Sequence, residues 1–328
     1  MIEELHSFFE KGDINNLLAF LKKLTLEERK IIIPELELRR RDEYKWNFEN
    51  CPAISRKIEM LEICYFVCLD KSHIRNLPRY DLPEDEVIDN ILKWYQPEWF
   101  SEYFNRVKTL PYKYLMRWKN AGYLTPEKGL IAKSLSSALW VKIPDKMKGY
   151  YSIDVLEEFP ETLNEHIWYL FEYESDIVFY DEYSGVDNPE NEHIWINAFQ
   201  RYADNGIISR PTLFKQCLSA ISKRVNPKSS TWYATLFASL KPSTHEILSF
   251  RDELLGLFTG GFVQKELLEI LCNEIAALFL CKDESVKQQV ASIFSRFGNQ
   301  DSYRIREALS LYSGSIPMSI KPLLLIWL

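Results

Sequence analysis

Two copies of one short phrase carry histidines that are candidates for metal or acid–base chemistry. Asn164-Glu165-His166-Ile167-Trp168 recurs as Asn191-Glu192-His193-Ile194-Trp195. A functional interpretation pairs His166 with His193 as ligands, because imidazole is a common metal ligand. The structural interpretation is that each copy starts a helix, with Asn as the N-cap and Glu in the first turn. We expect the structural role.

A run of carboxylates lies in and beside the segment that joins these phrases, and it comprises Asp176, Asp181, Glu182, Asp187, Glu190 and Glu192. Calcium prefers such oxygen ligands, but the spacing is not that of a calcium-binding helix-loop-helix. Turn-forming residues such as Gly185 and Pro189 predict instead a solvated acidic loop over residues 173–191, with one short strand at Ile177–Tyr180.

The cysteines give a weaker signal for metal or redox chemistry. They are Cys51, Cys64, Cys68, Cys217, Cys272 and Cys281. Cys64 and Cys68 would share one helix face, but no second pair lies nearby in sequence to complete a metal site. No Cys-x-x-Cys pair is present. The sequence therefore predicts buried, reduced thiols in a cytoplasmic protein.

Motifs of common catalytic and nucleotide-binding sites do not occur. The sequence lacks Gly-x-Gly-x-x-Gly, a phosphate loop, His-Glu-x-x-His and Gly-x-Ser-x-Gly. We therefore assign no catalytic, cofactor-binding or metal-binding residue, expect no cofactor, and expect that the chain is not an enzyme. The alternative is an active site spread over distant helices, recognisable by an enclosed pocket holding carboxylates or histidines with perturbed pKa values.

One basic run raises the question of nucleic acid. Arg39-Arg40-Arg41 is followed by Lys45, but neighbouring residues on a helix lie about 100° apart and point in different directions. The net charge of −7 also weakens any general attraction to phosphate. Nucleic-acid binding or repair is thus the second hypothesis, and it requires Arg39–Arg41 to converge with Lys142, Lys146 and Lys148.

The elements that must position these residues are helices. Aromatic residues make up 14% of the 328 residues, and only 11 residues are glycine, about half the usual share of about 7%. This composition argues against glycine-dependent nucleotide-binding folds and turn-rich β-sandwiches. Two aromatic clusters, Pro97–Phe100 and Trp168–Glu172, either fill seams between helices or line a binding groove.

Two helix hairpins repeat. Leu115-x-x-Trp118-x-x-x-Gly122-Tyr123-Leu124-Thr125 matches Phe199-x-x-Tyr202-x-x-x-Gly206-Ile207-Ile208-Ser209. The pattern predicts a left-handed glycine that ends the first helix and a Thr or Ser that caps the second. Gly261 marks a weaker third copy. The offset of 84 residues between Gly122 and Gly206 fits two stacked helix pairs of about 40 residues each.

These observations predict an all-α protein, a right-handed α-solenoid of irregular HEAT-like helix pairs. Its parts would be an N-terminal helical block, residues 1–172, the acidic loop, residues 173–191, and a C-terminal helical block, residues 192–328. One continuous solenoid would contain all three, because such repeats bury their apolar faces only by stacking.

Landmarks along the chain carry a family resemblance. They are Ile14-x-x-Leu17-Leu18-x-x-Leu21-x-x-Leu24-Thr25-x-x-Glu28-Arg29, Pro97-Glu98-Trp99, Leu170-Phe171-Glu172, Trp195, Gly206-Ile207-Ile208-Ser209-Arg210 with Leu213, and Leu240-Lys241-Pro242-Ser243-x-x-Glu246. In this order they resemble an uncharacterised bacterial family, a domain of unknown function built of HEAT-like helical repeats. The resemblance implies a cytoplasmic bacterial protein with an α-solenoid fold. It implies no known activity, so no functional residue is carried over.

The function that follows is protein–protein interaction, as a non-catalytic scaffold or adaptor whose partner the sequence does not name. Stacked helix pairs create long concave surfaces suited to this task. We expect neither a signal peptide nor a membrane span. The apolar stretch Pro322–Leu328 would suit a further repeat, a helix that folds back, or a dimer contact.

Overall fold

Helices form almost every segment of the computed structural model. The structure describes the chain except residues 44–51, 76, 78, 80–81, 109, 143–148, 188–192, 224–225, 260–263, 298–301 and 326–328, and except the side chains of 41–43, 52–55, 141–142, 149–151 and 185–187. The prediction of an all-α class is confirmed. The chain divides into two compact units, Met1–Leu135 and Ser136–Leu328, so the division does not fall at residues 173–191.

The first unit is built from nine helices within its described residues. They are α1 (Ile2–Lys11), α2 (Ile14–Lys23), α3 (Leu26–Glu43), α4 (Pro52–Cys68), α5 (Lys71–Ile74), α6 (Asp85–Leu92), α7 (Phe100–Val107), α8 (Tyr112–Asn120) and α9 (Lys128–Ser136), whose last residue enters the second unit.

The start of α3 shows how local sequence sets these boundaries. The Thr25 backbone N–H donates to Glu28 Oε2 at 2.8 Å, and the Glu28 N–H donates to Thr25 Oγ1 at 3.3 Å. This reciprocal pair is the capping box that the sequence predicts. Pro34 does not interrupt the helix, which runs through it to Glu43.

Aromatic side chains fill the core of the first unit. Phe66, Trp99, Phe100 and Trp118 are buried and meet mostly edge to face. The Trp99 indole N–H donates to the Leu69 carbonyl at 2.8 Å, so its polar atom is also satisfied. This aromatic cluster therefore fills a seam between helices and does not line a groove.

The second unit opens with an antiparallel hairpin, β1 (Trp140–Lys142) paired with β2 (Gly149–Tyr151). Helix α9 ends at Ser136, and the aromatic and β-branched pair at 140–141 favours the strand that follows. The helices that follow are α10 (Ile167–Glu172), α11 (Ile177–Asp187), α12 (Ile194–Asp204), α13 (Arg210–Lys223), α14 (Pro227–Ser239), α15 (Thr244–Ser249), α16 (Arg251–Thr259), α17 (Lys265–Ala277), α18 (Glu284–Arg296) and α19 (Tyr303–Leu311).

The two glycine corners have the same pattern of backbone hydrogen bonds. Gly122 and Gly206 have φ of 77° and 68°, and in each corner the next two N–H groups donate to one aromatic residue's carbonyl. That carbonyl belongs to Trp118 in the first corner and to Tyr202 in the second, with distances of 2.9 and 3.2 Å in both. The predicted left-handed caps are confirmed at these two glycines. The third copy, at Gly261, lies outside the described residues.

Of the two N-caps predicted for the helices after these corners, one is present and the other is not. Ser209 accepts from the Thr212 N–H at 3.4 Å at the start of α13. Thr125 does not cap α9, which begins three residues later. Its N–H donates to Ser101 Oγ at 3.1 Å instead, and its carbonyl accepts from Asn105 at 2.9 Å. Side chains of α7 thus hold this turn, and the sequence pattern around Thr125 contains no sign of them.

The first copy of the repeated phrase is not a helix start. Thr162–His166 forms a π-helical turn that runs directly into α10. Asn164 therefore lies within helical backbone and is not the N-cap of a helix. Helical backbone begins already at Pro160, a residue whose fixed φ suits a first turn. Asn191 and Glu192 of the second copy lie outside the described residues, and His193 precedes α12 directly.

Four of the five thiols that the structure describes are buried, as the sequence predicts, and the fifth is not. Cys64, Cys68, Cys217 and Cys272 are buried and free, and Cys281 is half-buried and free. Burial raises the pKa of Cys68 to about 12 and that of Cys272 to about 11, which keeps both protonated at neutral pH. None of the helices described is long and apolar enough to cross a bilayer.

Candidate functional site

Helix α11 lies where we expected an acidic loop and a short strand, and that prediction is wrong for Ile177–Asp187. The buried positions Ile177, Asp181 and Ser184 are spaced by four and three residues, which is one face of a helix. Two of these three buried residues are polar. The Ser184 hydroxyl is satisfied by donating to the Asp181 carbonyl at 2.7 Å.

The Asp181 carboxylate is fully buried and accepts hydrogen bonds from two other helices. The Trp195 backbone N–H donates to Oδ1 at 2.7 Å, and the Trp232 indole N–H donates to Oδ2 at 2.7 Å. Because an ionised carboxylate only accepts, it matches these donors well. Asp181 therefore supplies α12 with an N-terminal cap from a different helix and ties α11 to α12 and α14.

His193 completes this cluster at the surface. It occupies the left-handed region, with φ of 58°, and its side chain is 47% exposed. Its Nδ1 lies 3.2 Å from Asp181 Oδ2. We call Asp181, His193, Trp195 and Trp232 the Asp181 cluster.

The cation-binding hypotheses for this region gain no support. Both carboxylate oxygens of Asp181 already accept N–H groups inside the core, so they face donors rather than an open cation site. His166 is buried whereas His193 is half-exposed, and the described residues hold no group of three or more His, Cys, Asp or Glu side chains able to bind a metal.

The outer face of α11 is aromatic. Phe179 is 58% exposed and Tyr183 is 46% exposed. They lie one turn apart, their ring centroids are 5.6 Å apart, and the ring planes differ by 16°. We call these two stacked side chains the ring platform. Helix α11 thus exposes two aromatic rings and buries a carboxylate, which departs from an ordinary amphipathic helix at these positions, whereas Ile177 is buried and Glu182 is exposed in the ordinary way.

Unpaired carboxylates surround the ring platform in sequence. Glu172, Glu174 and Glu182 are exposed, and none of them forms an ion pair within the part of the chain that the structure describes. Residues 149–200 hold thirteen Asp and Glu and no Lys or Arg, whereas the remainder of the chain is net positive. Sequence reasoning missed this segregation of charge, although the sequence contains it.

A shallow groove of about 380 Å³ lies on the same unit. It is lined by Glu172, Tyr173, Lys215, Gln216, Ser219 and Lys223. Its lining is polar and carries both signs of charge. It does not match the enclosed pocket that a dispersed active site predicts, and we assign it no ligand.

One strongly perturbed carboxyl lies elsewhere. Glu274 of α17 is buried, and its Oε2 has no hydrogen-bond partner. Burial raises its pKa to about 7. No charged group contributes to this shift, so Glu274 stands apart from any acid–base pair.

The basic run is partly structural. The Arg39 guanidinium pairs with Glu35 at 3.4 Å, contacts His6, and lies 4.6 Å from the centroid of the Phe9 ring. Arg39 therefore joins α3 to α1. The side chains of Arg41, Lys45, Lys142, Lys146 and Lys148 lie outside the described residues, so their predicted convergence stays a prediction.

Fold and site together define an all-α protein of two helical units with a firmly anchored aromatic helix face. A family model described as a domain of unknown function, DUF6493, matches residues 1–260. The chain belongs to this family, and α11 falls inside the matched region. The all-helical fold is compatible with helical repeats. No curated protein and no solved structure shows a significant match.

Proposed function

We propose that the protein is a non-catalytic interaction protein, a scaffold or adaptor, and that it docks a partner protein on the outer face of α11. The observation that carries this proposal is the pair of exposed rings on a helix that buries a carboxylate. Fully burying a large apolar side chain is worth about 1.5–3 kcal/mol. Phe179 and Tyr183 lose much of this stabilisation because about half of each side chain is exposed, whereas Asp181 is buried on the inner face of the same helix.

A partner that covers the ring platform recovers this energy. Places where a chain breaks the ordinary rules of polarity are typical of functional surfaces. Tyrosine is also among the residues that contribute most to protein interfaces, because its ring supplies area at small entropic cost.

The Asp181 cluster supports the same proposal through rigidity. Its bonds to Trp195 and Trp232 fix α11 against α12 and α14. A face that is already ordered does not lose conformational freedom when a partner binds, which favours affinity. In this proposal Asp181 positions the platform and does not itself contact the partner.

We further propose a HEAT-like solenoid, a cytoplasmic location and a bacterial source. The matched corners at Gly122 and Gly206 support a repeated helix pair. The free thiols of Cys64, Cys68, Cys217 and Cys272 support a reducing compartment.

Nucleic-acid binding, the alternative, gains no support from α11, because carboxylates repel phosphate.

A dimer through the C-terminal end is a separate proposal. Met318, Leu323 and Leu325 are exposed there, and light scattering across a wide concentration range tests it. A strict monomer at the highest concentration would remove it.

Partner capture tests the main proposal. Tagged wild-type protein, the double variant Phe179→Ala/Tyr183→Ala and the control Tyr303→Ala are compared in extract of the source cell. Tyr303 is a matched control because it is also an exposed ring on a helix of the second unit. We expect specific partners to be lost with the double variant, kept with the control, and to bind again when purified. An unchanged set of partners would refute the proposal.

A further inference from the structure

We infer that the ring platform binds an arginine-rich segment of a partner protein. This inference rests on the proposed function and names the chemistry of the partner. Two observations support it independently. One is the geometry of the exposed rings, and the other is the charge of the segment that carries them.

The geometry suits a planar cation. The Phe179 and Tyr183 rings are stacked within 16° of parallel on one exposed helix face, and about half of each side chain is accessible to a partner. A guanidinium is planar, stacks on aromatic faces and is more weakly hydrated than an ammonium ion. Cations over aromatic rings gain about 0.5–1 kcal/mol each at exposed sites. Arginine is therefore favoured over lysine.

The charge pattern gives the platform its preference for cations. Glu182 precedes Tyr183 directly, and Glu172 and Glu174 lie just before the helix. These three carboxylates are exposed and form no ion pair among the residues described. Glu172 shares the groove described above with Lys215 and Lys223, so Glu174 and Glu182 are the ones most open to an incoming cation. Surfaces of complementary charge steer association and select partners.

Other occupants fit this surface less well. A nucleic acid or an anionic membrane carries the same sign of charge as the platform's surroundings and is repelled. An acidic or purely apolar segment leaves the three carboxylates without partners. A second copy of the chain is the remaining competitor, because the rest of this chain is net positive. The experiment includes it as an outcome.

Fluorescence anisotropy tests the inference with the full-length protein. The probe is a fluorescein-labelled peptide of four Arg-Gly-Ser repeats, and the comparison peptides replace each Arg by Lys or by Glu. We expect the Arg peptide to bind more tightly than the Lys peptide and the Glu peptide not to bind. Phe179→Ala/Tyr183→Ala should weaken binding about five- to thirtyfold, because two ring–cation contacts of about 0.5–1 kcal/mol each are lost.

Neutralising the carboxylates tests the second observation. The triple variant Glu172→Gln/Glu174→Gln/Glu182→Gln should weaken binding and reduce its dependence on salt. A matched control, Glu253→Gln/Glu266→Gln/Glu307→Gln, removes three exposed carboxylates of the same unit and changes net charge equally. It should leave the affinity within about twofold, since screening confines such effects to about 8 Å at physiological salt.

Three results would overturn the inference. The Glu peptide could bind as tightly as the Arg peptide, both triple variants could weaken binding equally, or light scattering could show a dimer that Phe179→Ala/Tyr183→Ala dissociates. The inference and the proposed function can fail independently of each other. If partner capture depends on the ring platform but the Arg peptide does not compete, the interaction site stands and its cationic partner is refuted.

Discussion

Removing the Asp181 carboxylate should destabilise the second unit more than any single surface change. In Asp181→Ala the Trp195 N–H and the Trp232 indole N–H lose the acceptor that each now reaches at 2.7 Å. We expect a loss of about 3–5 kcal/mol in the free energy of unfolding, because each buried donor left unpaired costs about 1–3 kcal/mol.

Asp181→Asn keeps the shape of the side chain but replaces one acceptor oxygen by an NH₂ donor. Whichever way the amide is turned, one of the two tryptophan donors faces an NH₂ group, so we expect a loss of about 1–3 kcal/mol. Replacing Trp232 by Phe removes one donor outright. Asp181→Asn should therefore cost about 1–2 kcal/mol less in the Trp232→Phe background than in the wild type, which a double-mutant cycle measures.

The assay is urea denaturation followed by circular dichroism at 222 nm, which does not depend on the tryptophan being replaced. Glu182→Ala is the control, because it removes an exposed carboxylate from the next position of the same helix. It should change stability by less than about 0.5 kcal/mol. A loss below about 1 kcal/mol for Asp181→Ala, or no coupling between Asp181 and Trp232, would refute the role assigned to this carboxylate.

Two further predictions concern stability. Glu274 has a folded pKa raised to about 7, above its unfolded value, so its stabilising effect is complete at acidic pH and is lost as the pH rises through about 7. Glu274→Gln should therefore be more stable than wild type at pH 8, by about 2–3 kcal/mol, and should lose this part of the pH dependence in urea titrations from pH 5 to 8. Gly206→Ala should destabilise by about 1 kcal/mol because its φ of 68° is left-handed, whereas Gly256→Ala, inside α16, should stabilise by about 0.5–1 kcal/mol in thermal melts.

Controls separate these effects from general ones. Glu266→Gln, on the same helix as Glu274 but exposed, should leave the pH dependence unchanged. Equal slopes for wild type and Glu274→Gln would contradict the burial argument. For the glycine pair, a Cβ meets no atom within 4 Å at either site, so packing does not differ. Losses of equal size at Gly206 and Gly256 would contradict the conformational argument.

Much of the helical pattern was predictable because it rests on local chemistry. Helices α13 and α19 each bury apolar residues that recur at helical spacing, a pattern visible in the sequence. The capping box at Thr25 and the left-handed corners at Gly122 and Gly206 also depend only on neighbouring residues. The lack of Lys and Arg over residues 149–200 is also visible in the sequence, and it bears directly on the proposed partner.

Helix α11 shows what the sequence alone did not determine. Its carboxylates and turn-forming residues are typical of a loop, and nothing local explains why Asp181 should face inward. The explanation lies in donors that are 14 and 51 residues away in sequence, the Trp195 N–H and the Trp232 indole. Burying a carboxylate is favourable only where such partners are already in place. Composition and periodicity thus determined that the chain is helical, whereas tertiary packing decided which face of α11 is buried and left its aromatic rings exposed.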